Sequence, residues 1–165
     1  MFKKILITAI LAFSVSLSAS AQNVLAKLDG QDITKKDISA YVENVLGEKY
    51  MPLTKTEEGL HQLTKHYINR EMLLQYAKKT IKSDNKFLKE KGAQVDEDTK
   101  YLTAVLNKEV QDKVEYTEDD IEEFSKSNGM SDLKQAEVKY GSIQRKKLFD
   151  ELMQKLKAEH TVEFM

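Results

Sequence analysis

The sequence predicts a mainly α-helical body closed by a small β-sheet that pairs the two ends of the chain. Apolar residues recur at helical spacing in successive stretches, and several stretches open on a Thr able to accept from an exposed helix N–H. Turn punctuation is scarce, with one Pro and six Gly in 165 residues, too little for an all-β chain. Two β-favouring runs stand apart from the helices, one near each end. A lone strand would leave its backbone groups unpaired, so the two runs are expected to meet.

Residues 1–21 read as an export leader. Lys3 and Lys4 give a basic start, Ile5 to Leu17 is uncharged and apolar, and Ala19-Ser20-Ala21 supplies a small-residue cleavage pattern. Cleavage is expected between Ala21 and Gln22. The apolar run is shorter than the roughly 20 residues that cross a bilayer, so no stable membrane insertion is expected after cleavage. Residues 22–165 then form one domain that works outside the cytoplasm.

Along that domain, Val24 to Leu28 is the first β-favouring run, and Asp29-Gly30 is a turn signal. Thr34 with Asp37 predicts a helix beginning near Lys35, with Ile38, Tyr41, Val42 and Val45 as its apolar stripe and Gly47 as its stop. A break surrounds Pro52. Thr54-Lys55-Thr56-Glu57 then opens the best-defined helix, in which Leu60, Leu63, Tyr67, Leu74, Ala77 and Ile81 follow steps of three and four. Ile68, Met72, Leu73 and Tyr76 widen its apolar face, which calls for neighbours on more than one side.

Ser83-Asp84-Asn85 marks another start before Phe87 and Leu88, with a break expected near Gly92. Helix resumes from Thr99 through Tyr101, Leu102, Val105, Leu106, Val110 and Val114. Thr117 with Asp120 caps a short helix carrying Ile121 and Phe124 that ends at Asn128-Gly129. Residues 130–141 read as irregular, with a short strand at Val138-Lys139-Tyr140. Ser142 is read as the cap of a last helix bearing Leu148, Phe149, Leu152, Met153 and Leu156. Thr161 to Phe164 is the closing strand.

Composition removes several classes of chemistry. Without Lys3 and Lys4, the 26 basic residues become 24 against 27 acidic, a net charge of −3. That gives no basic footprint for nucleic acid. The absence of Cys excludes disulfides, thiolate metal sites, thiol catalysis and a cysteine-linked lipid anchor. His61 and His66 are five residues apart on one helix, about 140° around its axis, and are not expected to share a metal. The acidic run Glu118 to Glu123 lacks the loop of a calcium hand and suits a helix start. No phosphate loop, dinucleotide fingerprint or nucleophile elbow is present, so no cofactor is expected.

The order of segments carries a resemblance. Val24-Leu25-Ala26-Lys27-Leu28-Asp29-Gly30-Gln31-Asp32-Ile33-Thr34 with Asp37 resembles the opening of the SurA-like periplasmic chaperones. Tyr67-Ile68-Asn69-Arg70-Glu71-Met72-Leu73-Leu74-Gln75-Tyr76-Ala77-Lys78-Lys79 is similar to that family's central helix. Tyr116-Thr117-Glu118-Asp119-Asp120-Ile121-Glu122-Glu123-Phe124 is similar to its "V-T-x-x-D-I-x-x-Y" helix, and Leu148 to Phe164 to the helix and strand that complete its N-terminal domain. The resemblance implies a SurA N-domain-like multi-helix body in the periplasm, acting as an ATP-independent holdase for unfolded exported or outer-membrane polypeptides. The family's parvulin isomerase domain, which would follow near residues 130–141, has no counterpart, so no enzyme activity is expected.

A body of this kind would present an apolar groove between helices. Tyr67, Met72, Tyr76, Tyr101 and Phe124 are the candidate peptide-binding residues, ordinary core being the alternative for each. A dedicated interaction or assembly subunit is the second functional reading, and exchange of the terminal elements could make a homodimer. A proline-peptide isomerisation assay is expected to show no turnover; measurable turnover would overturn the reading of the missing domain.

Overall fold

A computed structural model describes residues 23–89 and 95–165. The expected leader, the cleavage expected between Ala21 and Gln22, and the break expected at Gly92 lie outside the described residues. Among them, Asp29 and Gly30 both take positive φ, 52° and 80°, the requirement of the tight hairpin turn that Asp-Gly favours. The turn joins β1 (Val24–Leu28) to β2 (Gln31–Thr34), a strand hidden in the sequence as the approach to the first helix. The last strand, β3 (Val162–Phe164), runs antiparallel to β1 on its other side, giving the order β2-β1-β3. The two ends of the described chain thus meet as the two patterned runs predict.

Local capping sets where the helices begin. Thr34 and Asp37 form a reciprocal box at α1 (Lys35–Tyr41), whose last turn widens into a π-helical turn over Val42–Leu46 before Gly47. The break around Pro52 is a 3-10 helix, Glu48–Lys55. Thr56 caps α2 (Glu57–Thr80) by accepting from the Gly59 N–H at 3.1 Å. Asn85 accepts from the Phe87 N–H ahead of the short α3 (Lys86–Lys89). Asp96 caps α4 (Glu97–Glu109), which begins two residues before Thr99. α4 stops at Glu109, short of Val114, and a 3-10 turn over Gln111–Lys113 follows. Thr117 and Asp120 repeat the reciprocal box at α5 (Glu118–Ser127).

The expectations for residues 130–142 are corrected. Residues 130–132 are irregular as expected, but from Leu133 on one helix, α6 (Leu133–Glu159), replaces the irregular stretch, the Val138–Tyr140 strand and the Ser142 cap. Its cap is Asp132, which accepts from the N–H groups of Lys134 and Gln135 at 2.9 and 3.1 Å. Val138, β-favouring by type, is 64% exposed and packs against no sheet. Tertiary packing decides the matter: Ala136 and Gly141 are buried, and the Tyr140 ring meets Phe124 and Tyr116 at 5.2 and 5.7 Å. Gly141 suits that contact, since a Cβ there would lie 3.3 Å from the Tyr116 hydroxyl.

α2 is the hub. It packs on α1, the 3-10 helix, α4, α6 and β1, which is what its broad apolar face demands. Met72 of α2, Val105 of α4, Leu156 of α6 and Ile38 of α1 are wholly buried around it. The second half of α6 belongs to this core and the first half to the smaller cluster with α5.

Two substitutions check this packing by urea unfolding. Gly59→Ala is expected to destabilise by about 1–3 kcal/mol, because its Cβ would lie 2.2 Å from the Leu53 carbonyl oxygen; a gain in stability, the usual result inside a helix, would contradict the close approach. Leu156→Ala is expected to cost about 2–5 kcal/mol.

Candidate functional site

The five aromatic and Met candidates do not converge on one surface. Tyr67 and Tyr76 are nine residues apart on α2, about 180° around its axis. Tyr67 is half-buried edge-on against Tyr41 at 5.4 Å. Tyr76 faces the other way, its hydroxyl donating to Glu109 at 3.2 Å and its ring lying under the Lys155 ammonium at 5.2 Å. Tyr101 packs half-buried on the main core from α4, while Phe124 belongs to the α5–α6 cluster. Met72 is fully buried. Of the five, Tyr76 lines a separate, more polar crevice with Gln75 and Lys79, and only Met72 lines the crevice beside the closing strand.

That crevice, about 410 Å³, runs between α2 and the junction of α6 with β3. Ile68, Met72, Val162 and Phe164 give it an apolar lining. Polar groups edge it: Lys65 and Asn69 from α2, Lys157 from the last turns of α6, and His160. Phe164 is held from the side by the His61 ring at 4.9 Å. This gives His61 a packing role, and among the described residues no group of three His, Asp or Glu could hold a metal. Val162, Phe164, Lys157 and His160 escaped sequence reasoning because the crevice joins residues far apart in the chain. The available signal was the closing strand itself, whose alternate residues had to face something.

The geometry of the crevice depends on the lock at its end. Asp29 accepts from the Thr161 N–H at 2.9 Å and from His160 Nδ1 at 2.6 Å, while its own N–H donates to the Thr161 carbonyl at 2.8 Å. The turn residue of the first hairpin thereby fixes the entry of the last strand. The hydrogen bond from His160, then that from the Thr161 backbone, hold the Asp29 carboxyl below the usual carboxylate range. On another face of α2, Lys78 meets Asp98 of α4 at 2.8 Å, and Arg70 meets its neighbour Glu71 at 2.9 Å and Asp98 at 3.7 Å.

Chemically, the crevice offers apolar surface, hydrogen-bonding edges and positive charge. Concave apolar surface edged by a few polar groups is the general form of a binding site. Among the described residues no helix is long and apolar enough to cross a membrane. The chain matches no known protein family, no curated protein and no solved structure.

Asp29→Asn keeps a residue that tolerates the turn's positive φ and removes the charge. A carboxyl whose folded pKa is depressed stabilises fully above its unfolded value, and the contribution disappears as pH falls through the folded value. The variant is therefore expected to be less stable at neutral pH by about 1 kcal/mol, the upper end for a solvent-screened pair. The difference from wild type should close below about pH 4, as followed by thermal melts in circular dichroism. A pH-independent difference would mean that charge has no part in the lock.

Proposed function

We propose that this chain is an ATP-independent periplasmic chaperone, a holdase for unfolded exported or outer-membrane polypeptides. The observation that carries the reading is the crevice beside β3: an apolar floor open to solvent with a polar, cationic edge. Such a site holds side chains of an unfolded segment with no bond made or broken. Met72, itself wholly buried, backs that floor. The leader expected to end at Ala21 and the SurA-like order of segments, strand, turn and capped helix first and closing helix and strand last, support the same reading.

A second reading, a dedicated assembly subunit that binds one folded partner, is favoured by α6. Val138 and Phe149 are 64% and 37% exposed and lie within about 20° of one another around the helix. Apolar side chains exposed on an ordered helix suit a specific contact with a folded partner better than an unfolded client.

The two readings separate by experiment. The purified protein, without nucleotide, is expected to slow the aggregation of a chemically unfolded client, measured by light scattering. Unchanged aggregation at several-fold excess would remove the holdase reading. A pull-down from periplasm is expected to return many unfolded clients, whereas a single stoichiometric partner would establish the second reading instead.

A further inference from the structure

The third strand closes the fold and leaves one of its own edges open. Its register against β1 pairs Phe164 with Ala26, Glu163 with Lys27 and Val162 with Leu28. Flanking backbone bonds run from Asp29 N–H to the Thr161 carbonyl and from Met165 N–H to the Leu25 carbonyl, at 2.8 and 3.1 Å. Hydrogen-bonded and non-bonded pairs alternate along an antiparallel ladder. Thr161, Glu163 and Met165 therefore direct their backbone groups toward β1, and Val162 and Phe164 direct theirs outward. No backbone partner meets those outward groups among the described residues. A row of unpaired N–H and C=O groups is a template for another strand.

What lies beside that edge narrows the occupant. Val162 and Phe164 share a sheet face with the buried Ala26 and Leu28, and they line the crevice with Ile68 and Met72. Lys65 and Lys157 stand at its rim, no carboxylate lines it, and neither lysine has an ion pair among the described residues. The edge asks for an extended backbone, the floor for apolar side chains, and the rim for negative charge. We infer that the outer edge of β3 takes an extended polypeptide segment as a fourth strand, its apolar side chains over Ile68 and Met72 and a carboxylate at Lys65 and Lys157. In such strand addition the main chain supplies affinity and the adjoining pocket supplies selectivity. The inference rests on the holdase reading and deepens it, giving the client's conformation and charge. The carboxylate is either an acidic side chain or the end of the client chain.

Protein purified after export from an expression host is titrated by NMR with capped hexapeptides of alternating Val and Thr, one carrying Asp and its counterpart carrying Lys. An Asp-free peptide with a free or an amidated C-terminus separates the two sources of carboxylate. The Val162 and Phe164 amides are expected to shift and gain protection. The acidic peptide should bind about fivefold tighter than the Lys peptide, what one solvent-screened ion pair supplies, and Lys65→Glu with Lys157→Glu should reverse that order. Val162→Pro removes an outward N–H without touching the ladder to β1; it should abolish the response while the Glu163 and Met165 amides stay protected. Equal affinity for both peptides, or no response at Val162 and Phe164, would overturn the inference. So would a concentration-dependent dimer that Val162→Pro dissolves, since a second copy would then occupy the edge. Aggregation suppressed with no response at the edge sinks this inference alone. Binding at the edge with no suppression sinks the holdase reading alone.

Discussion

The pairing of β1 with β3 is the constraint on which the rest depends. β1 is the middle strand, and without β3 its Ala26 and Leu28 would lose the cover that makes them core. A two-stranded hairpin is marginal by itself in water, so the sheet exists because the far end of the chain returns to it. That return fixes the end of α6, which sets Leu156 against α2. It also sets Val162 and Phe164 at the mouth of the crevice. Asp29 concentrates the dependence in one residue, serving as turn former, acceptor for Thr161 and partner for His160.

Closure from both ends leaves α2 as the common wall. Its broad apolar face satisfies α1, α4, α6 and β1, and its Lys65 to Met72 segment is left facing the crevice. Core and site are thus two sides of one helix. Met72 belongs to both, at once fully buried and part of the crevice lining. Its place there is why an apolar stripe in the sequence could be read either as interior or as binding surface.

Features governed by local chemistry were legible in the chain. The Thr34 and Thr117 boxes form as spacing implies, because an acid three residues on can reach back within a single turn. The meeting of the terminal strands was legible from the need to pair backbone groups. β2 was not, because Thr34 ends the strand and caps α1 at once, and four residues leave little alternation to see. Residues 130–141 misled because Val138 and Gly141 disfavour helix locally, whereas burial against Tyr116 and Phe124 outweighs propensity. The crevice was the least legible feature. Its walls come from α2 and from the last residues of the chain, and no local pattern records that they adjoin.

The position of β3 in the chain has a temporal consequence. A polypeptide emerging amino end first, from a ribosome or through a membrane pore, presents the β1–β2 hairpin early and must wait for residues 160–164 to cover it. Until then the centre of the sheet has no second neighbour, and α6 has no anchor at its carboxyl end. Completion of the tertiary structure is thereby coupled to the emergence of residues 160–164. Until residues 160–164 have emerged, the nascent molecule stays unfinished and therefore threadable.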